Sequence, residues 1–260
     1  MDNTENKDCF EVYLENFLHS PSLILVRSIE AKNFPYEYIK EPILDLCCGD
    51  GFFGSVIGLN NYNTIGCDLD ENALKLAKLR GVYKEVRFED ARILKIFSNN
   101  FFNTVISNCA LEHVDGIELT LNRISQILQV GGVLIMTVPS NNLFQCFPLK
   151  NKNKLEIYNR RQQHLNILEE GEWVELLKKY NLKVEQKFYI FNQEQYKKAI
   201  FLDALPEILP KYLFNFYKIV IRFLPKFAIK YLWRKILKQI YLDSKPLECG
   251  GELVIVAKKL

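Results

Sequence analysis

An α/β fold built on a doubly wound, mostly parallel sheet is predicted by three observations. Short apolar runs recur along the chain, at Ile43 to Leu46, Thr64 to Cys67, Glu85 to Phe88, Thr104 to Ser107 and Val133 to Val138. They are too brief for helices and are bounded by turn residues, which is how strands buried on both faces read in sequence. Segments with helical apolar spacing fall between them, among them Glu71 to Leu79 and Ile117 to Val130. Strands alternating with helices in this way imply parallel pairing through right-handed crossovers. The first run then opens into Cys47-Cys48-Gly49-Asp50-Gly51, where glycines let the backbone turn sharply and let another group approach closely. Strand, glycine turn and a helix from Phe52 make the opening of a nucleotide-binding βαβ unit.

The remaining elements follow in chain order. Residues 1 to 10 are expected to be disordered or frayed. Val12, Leu14, Phe17 and Leu18, then Leu23, Val26 and Ile29, recur at helical spacing, with His19-Ser20-Pro21 as the break, so two helices precede the first strand. After the glycine turn a short helix is expected from Phe52 to Leu59. Asp70 N-caps the helix after the second strand, and Arg80-Gly81 ends it. Gly131-Gly132 is expected to close the helix before the fifth strand. Residues 140 to 166 read as polar loop, Glu169 to Tyr180 as a helix and Leu182 to Phe191 as a strand. Glu252 to Ala257 is the last strand, which brings the sheet to seven. Four spans result: N-terminal helices forming a lid (1–40), the core (41–200), a basic, aromatic helical insertion (201–247) and the final core strand (248–260).

A chain of 260 residues can bury a sizeable core, and one α/β domain with an insertion fits it better than two equal domains. The seven cysteines are odd in number, scattered, and form no C-x-x-C pair or His/Cys ligand cluster, so they read as reduced thiols of a cytosolic protein and no metal site is expected. The start, MDNTENKDCF, lacks the apolar core of a signal peptide, and no uncharged apolar run is long enough to span a bilayer. The net charge of +3 hides an asymmetry: eight basic and no acidic residues lie between Ile208 and Leu242, leaving the rest of the chain at −5.

The first turn reads C-C-G-D-G-F-F-G, which is not the G-x-G-x-x-G of a dinucleotide site. Asp45 is the sharper clue, because a charge inside an apolar strand is costly without a fixed partner. Here the sequence resembles the class I S-adenosylmethionine-dependent methyltransferases, whose first motif is an acid followed by a G-x-G turn. The likeness runs from Pro42 to Ser140 and includes the last strand pair. It implies a Rossmann-like fold whose final strand is antiparallel, with S-adenosylmethionine as cofactor. By that resemblance Asp45 orders the turn and meets the amino-acid end of the cofactor, and Gly49 and Gly51 lay their backbone against it. Cys47 stands where the family most often has glycine, so a positive φ there would be strained. Asp68 matches the acid that takes both ribose hydroxyls, Leu69 packs on the adenine, and Asp90 and Ala91 receive its edge. Asn108 lies near the methionine part, and Asn103 replaces a usual Asp in a structural place.

Other readings stand beside these. Asp45 could be a satisfied core carboxylate of another Rossmann-like fold, and Asp68 and Asp90 alone would be ordinary strand-end caps. His113, in the string Leu111-Glu112-His113-Val114, is either a general base or a structural histidine at a helix start; His164, in a loop with Arg160 and Arg161, carries the same two readings. Arg27 is either a reach to the cofactor carboxylate or a solvated arginine. The expected activity is in-line methyl transfer to a small-molecule or lipid-linked acceptor, with a sugar favoured by a general likeness to methyltransferases of bacterial surface-polysaccharide and secondary-metabolite gene sets. The reading from a different class is a non-catalytic cofactor-binding regulator.

From Lys218 the basic residues recur every fourth position, at 222, 226, 230, 234 and 238, with aromatic and aliphatic residues between them. Pro210 and Pro225 are placed to start two helices. Such a pair would lie on an anionic membrane surface, as a peripheral contact of a cytoplasmic protein at the inner membrane, or would pack as a lid with its lysines in water. Nucleic acid is disfavoured by the acidic body of the chain.

Overall fold

The computed structural model describes residues 8–260. In chain order, α1 (Cys9–Asn16) and α2 (Pro21–Lys32) precede β1 (Ile43–Leu46), followed by α3 (Phe52–Val56), β2 (Thr64–Asp68), α4 (Glu71–Arg80), β3 (Glu85–Phe88), β4 (Phe102–Asn108), α5 (Ile117–Ile127) and β5 (Leu128–Val138). Then come α6 (Asn142–Cys146), α7 (Lys152–Gln162), α8 (Glu170–Lys179), β6 (Leu182–Phe191), α9 (Gln193–Asp203), α10 (Leu205–Ile208), α11 (Lys211–Phe223), α12 (Lys226–Leu242) and β7 (Gly251–Lys259). The expected fraying of residues 1–7 lies outside the described residues. From Cys9 the chain is already helical, because Asp8 caps α1 by accepting from the Phe10 N–H.

Two compact units form, and both are discontinuous in sequence: a sheet unit of Phe34–Asn141, His164–Tyr189 and Glu252–Leu260, and a helical unit of the residues up to Asn33, Asn142–Gln163 and Ile190–Gly251. The four consecutive spans expected from sequence are thus regrouped. A sequence read linearly gives no sign that α1 and α2 pack with α9 and α12, as they do in the helical unit.

In the sheet unit seven strands run in the order β3-β2-β1-β4-β5-β7-β6. β1 pairs in parallel with β2 and β4, and β7 pairs antiparallel with β5, so the doubly wound arrangement and the reversed final strand are both present. All four residues of β1 are buried, as its unbroken apolar run requires. Asn103 donates from its side-chain amide to the carbonyl of Glu41 at 2.6 Å.

Three expectations about local structure are corrected. The helix from Phe52 ends at Val56, because Gly58 takes φ +76° and turns the chain. The glycine pair at 131–132 does not end α5; the helix stops at Ile127 and β5 begins at Leu128. Gly131, at φ +81°, instead makes a bulge where β5 shifts register against β4 between Phe102 and Thr104. Residues 140 to 166 are not simply loop, since they carry α6 and α7. The second of these is polar on almost every side and buries only Tyr158, so apolar periodicity gave no signal for it.

The helical unit collects α1, α2, α6, α7 and α9 to α12. Phe10, Tyr13, Leu14, Ile24, Leu25 and Ile29 are buried in it. Trp233 on α12 donates its indole N–H to the Leu18 carbonyl at 2.9 Å. The Lys32 ammonium caps the end of α12 by donating to the carbonyls of Tyr241, Leu242 and Ser244 at 2.8 to 2.9 Å, a favourable place for a cation at a helix C-terminus. Arg27 pairs with the buried Glu30 at 2.8 Å, one turn away on α2, so it is not a solvated arginine. The basic stripe read from sequence divides at Leu224. On α12, Lys230 pairs with Glu15, Arg234 with Glu11 at 2.7 Å, and Lys238 with Asp8 and Glu11. This stripe is matched by α1 inside the unit.

α11 is arranged differently. Ile221 is its buried contact, while Tyr212 (71% exposed), Phe216 (64%) and Phe223 (79%) share one open face with Ile219 and Val220. Lys211, Lys218 and Arg222 line the neighbouring face, and among the described residues none of the three has an ion-pair partner.

Candidate active site

Parallel strands β3, β2, β1 and β4 lie side by side, so their carboxyl ends share one edge of the sheet. The strand order reverses its direction of winding at β1, where open α/β sheets form a crevice. The sequence-predicted residues Asp45, Cys47, Gly49, Gly51, Asp68, Leu69, Asp90, Ala91 and Asn108 all fall at these strand ends or just beyond them. Asp45 stands in register with Gly66 on β2 and Ile106 on β4.

The turn after β1 holds three positive φ values, +57° at Cys47, +54° at Gly49 and +74° at Gly51. The strain expected at Cys47 is therefore real, because a side chain occupies the left-handed region that glycine takes freely. A Cβ on Gly49 would meet nothing within 4 Å, so its peptide faces open space. Its N–H donates to one carboxylate oxygen of Asp68 at 2.8 Å, and the N–H of Asp70 donates to the other at 2.9 Å. Both oxygens are thereby fixed, and each retains lone-pair capacity for a further donor.

Asp45 is 4% exposed, and the Tyr83 hydroxyl donates to it at 2.6 Å. Burial pushes its carboxyl up to about 7; the tyrosine hydrogen bond opposes that rise and the nearby charge of Asp68 adds to it. Burial also pushes the Cys47 thiol up to about 12, helped by the charges of Asp68, Asp45, Glu112 and Asp90. The sulfur therefore remains a thiol at neutral pH and is no nucleophile. Asp90 is gripped by Arg92, through the Arg92 Nε at 2.9 and 3.0 Å and Nη2 at 2.5 Å, which holds its carboxyl below the usual range. Leu69 is exposed beside Asp68, and Ala91 is buried.

The two candidate catalytic histidines, far apart in sequence, are brought together. His113 closes a short 3₁₀ turn, and its ring stacks on that of His164 with centroids 5.4 Å apart and planes 17° from parallel. Their meeting is built by backbone: the N–H groups of Leu165 and Asn166 donate to the Glu112 carbonyl at 2.7 and 2.9 Å. The Asn166 amide also donates to the carbonyls of Leu111 and Val114 at 2.8 Å. The His113 Nε2 lies 3.6 Å from the buried Glu112 carboxylate.

Two residues of this site were missed in the sequence. Glu112 was read only as part of a string, although a carboxylate that is 1% exposed needs a reason to be there. Tyr83 holds Asp45, and it fills the space a side chain would take at three glycines, with its ring at Gly51 and Gly66 and its hydroxyl at Gly54. A Cβ would come within 3.0 Å of it at Gly51, 2.6 Å at Gly54 and 2.7 Å at Gly66. The available signal was Gly66, since glycine inside a strand marks close approach of another group.

Comparison with known proteins agrees with this architecture. A family described as a methyltransferase domain matches residues 39–194. An uncharacterized methyltransferase of Mycobacterium tuberculosis is 29% identical over 93 residues, 35% of this chain and 47% of that protein. A malonyl-[acyl-carrier protein] O-methyltransferase of Bacillus cytotoxicus is 27% identical over 105 residues, 40% of this chain and 37% of that protein. These matches span less than half the length of those relatives. Among solved structures, an S-adenosylmethionine-dependent methyltransferase of Archaeoglobus fulgidus superposes with a TM-score of 0.56 at 19% identity, covering 97% of this chain and all of that one. A phosphoethanolamine N-methyltransferase of Haemonchus contortus, solved with phosphomonomethylethanolamine and S-adenosylhomocysteine, superposes at 0.57 with 16% identity, covering 96% of this chain and 60% of that one. Family match, strand order and glycine turn agree, and the chain belongs to the class I S-adenosylmethionine-dependent methyltransferases.

Proposed function

We propose that the protein binds S-adenosylmethionine at the carboxyl ends of β1 to β4 and transfers its methyl group in line to a small-molecule or lipid-linked acceptor, with a sugar as a leading candidate. The observation that carries this reading is Asp68, whose two oxygens are each fixed by one backbone N–H and remain able to accept from two adjacent ribose hydroxyls. The open peptide at Gly49 also fits a bound nucleoside, because a flat or charged group can lie directly on that backbone.

When bound, the cofactor supplies a methyl group already activated on a sulfonium, so the chain has mainly to orient the acceptor and exclude water. Asp45 holds the turn and faces the amino-acid end. Gly51 and Cys47 shape the turn, Leu69 offers an apolar surface to the adenine, and Asp90 and Ala91 meet its edge, with Arg92 sharing the Asp90 carboxylate. Asn108 lies toward the methionine part. His113 and His164 stand as an acid–base pair able to take the proton of a hydroxyl acceptor, with Glu112 beside His113 to steady the charge gained.

The same reading places the protein in the cytoplasm, in peripheral contact with an anionic membrane. Among the described residues no helix is long and apolar enough to cross a membrane. Within 208–242 we assign the contact to α11, whose open aromatic face lies beside Lys211, Lys218 and Arg222, rather than to α12, where Lys230, Arg234 and Lys238 pair with α1 or its cap. Calorimetric titration with S-adenosylmethionine, and separately with NADH, tests the cofactor. Binding of the first alone is expected, and failure to bind it would remove the proposal. Turnover with a panel of glycolipid precursors and small hydroxyl acceptors then separates an enzyme from a silent binding protein.

A further inference from the structure

The helical unit contains a pocket of about 690 Å³ whose wall is strongly polarised. α12 contributes Trp233, Ile236, Leu237 and Ile240, spaced so that they share one helical face. α9 contributes Phe201 and Leu202 and, one turn earlier, Lys197 and Lys198. Cys146 and Phe147, at the end of α6, close the floor, and both are buried. The lining is thus mainly apolar with two lysines from α9, and among the described residues that line it none is a carboxylate, although Glu194 lies beside Lys197 and acts on Cys146.

Two further observations specify the occupant. Phe201 and Ile236 are 45% and 46% exposed although they line a concave surface, so apolar area is left in water that a hydrocarbon would cover. Among the described residues Lys198 has no ion-pair partner, and Lys197 has the exposed Glu194 at 3.4 Å, a pair of little worth. The volume falls within the range usual for small-ligand sites, roughly 300 to 1,000 Å³.

We propose that this pocket is a binding site for an amphiphile with one hydrocarbon chain and an anionic head, a carboxylate or a phosphate. The chain lies between α9 and α12, where each methylene taken out of water favours binding. The head meets Lys197 and Lys198. The assignment concerns binding, and it stands whether or not the methyl transfer proposed above occurs.

The experiment uses the full-length protein and the fluorescence of Trp233, which lines the pocket; the other tryptophan, Trp173, is fully buried in the sheet unit and gives a constant background. Laurate, dodecyl phosphate, dodecanol and inorganic phosphate are titrated below any micelle-forming concentration. Laurate and dodecyl phosphate are expected to change the emission saturably, dodecanol to bind more weakly, and inorganic phosphate to do nothing. The tighter of the two charged ligands identifies the natural head. The double variant Lys197→Glu with Lys198→Glu is expected to weaken laurate by at least about fivefold and to leave dodecanol unchanged. Phe201→Asp, at an exposed position that leaves the fold intact by circular dichroism, is expected to weaken both chains by about tenfold or more. Absence of a saturable fluorescence change and of heat with laurate would overturn the proposal, as would equal binding by Phe201→Asp. An equal response to inorganic phosphate, or insensitivity of laurate to the lysine reversal, would overturn the assignment of the head.

Discussion

The two units of this protein treat charge in opposite ways. In the sheet unit like charges gather: Asp45, Asp68, Asp90 and Glu112 all act on the Cys47 thiol, with Asp45 held by a tyrosine, Asp68 by two backbone N–H groups and Asp90 by an arginine. In the helical unit opposite charges pair along the seam of α1 and α12, while among the described residues Lys211, Lys218 and Arg222 stand without ion-pair partners beside the open face of α11. Clustered like charge is unfavourable in the empty protein and becomes useful when a ligand brings donors to it. Paired surface charge is mostly architecture. The difference separates a site from a seam, and it separates α11 from α12 although both carry the same repeating lysines and arginines.

The largest expected effect tests the strained side of this contrast. With its carboxyl raised to about 7, Asp45 keeps a proton in the folded protein between about pH 4 and pH 7 that the unfolded chain has released. The folded state then binds more protons, so stability falls as pH rises through that window and is level above it. The fall is up to about 4 kcal/mol, and Asp45→Asn should abolish it, as thermal unfolding of the cofactor-free protein across pH 4 to 8 would report. Equal slopes in the two proteins would mean that the carboxyl is not so perturbed. Next comes Asp68→Ala, expected to weaken S-adenosylmethionine by about 100-fold in calorimetry with the fold retained, since two charge-assisted hydrogen bonds are lost. Unchanged affinity would refute the ribose assignment.

The helical unit supplies a matched pair of tests. Phe216→Asp with Phe223→Asp should lower recovery on anionic vesicles by about tenfold or more, whereas Arg234→Gln should leave recovery unchanged and cost only about 0.5 kcal/mol of stability. The reverse result would return the membrane contact to α12. The smallest effect belongs to the turn, where Cys47→Gly is expected to stabilise the protein by about 1 kcal/mol in urea unfolding by releasing the strain of φ +57°.

The sheet was readable because its signals are local. The run Ile43 to Leu46, the cap at Asp70 and the stop at Gly81 each lie within a few residues of the structure they determine. The strand-end acids could be placed for the same reason, since the order of a doubly wound sheet fixes where strand ends lie. Tyr83 and the stacking of His113 on His164 were not legible. One depends on space left by three glycines on different elements, and the other on a backbone staple between residues 112 and 165. α7 was missed because its polar surface hides its period. The regrouping of α1 with α12 depended on charge pairs more than 200 residues apart, which no window along the chain contains.

Tyr83 carries a consequence for how this sequence can change. Its ring stands where side chains would be at positions 51 and 66, and its hydroxyl stands in that place at 54 and secures the acid at 45. A methyl group at 54 or 66 would run into Tyr83 unless position 83 shrinks, one at 51 would press on its ring from a left-handed backbone, and a smaller residue at 83 would strand the buried carboxyl. The five positions therefore form a linkage group under mutation. A lineage can leave this arrangement only by passing through a less stable intermediate or by changing several of the five together, so related chains should differ at them as a block.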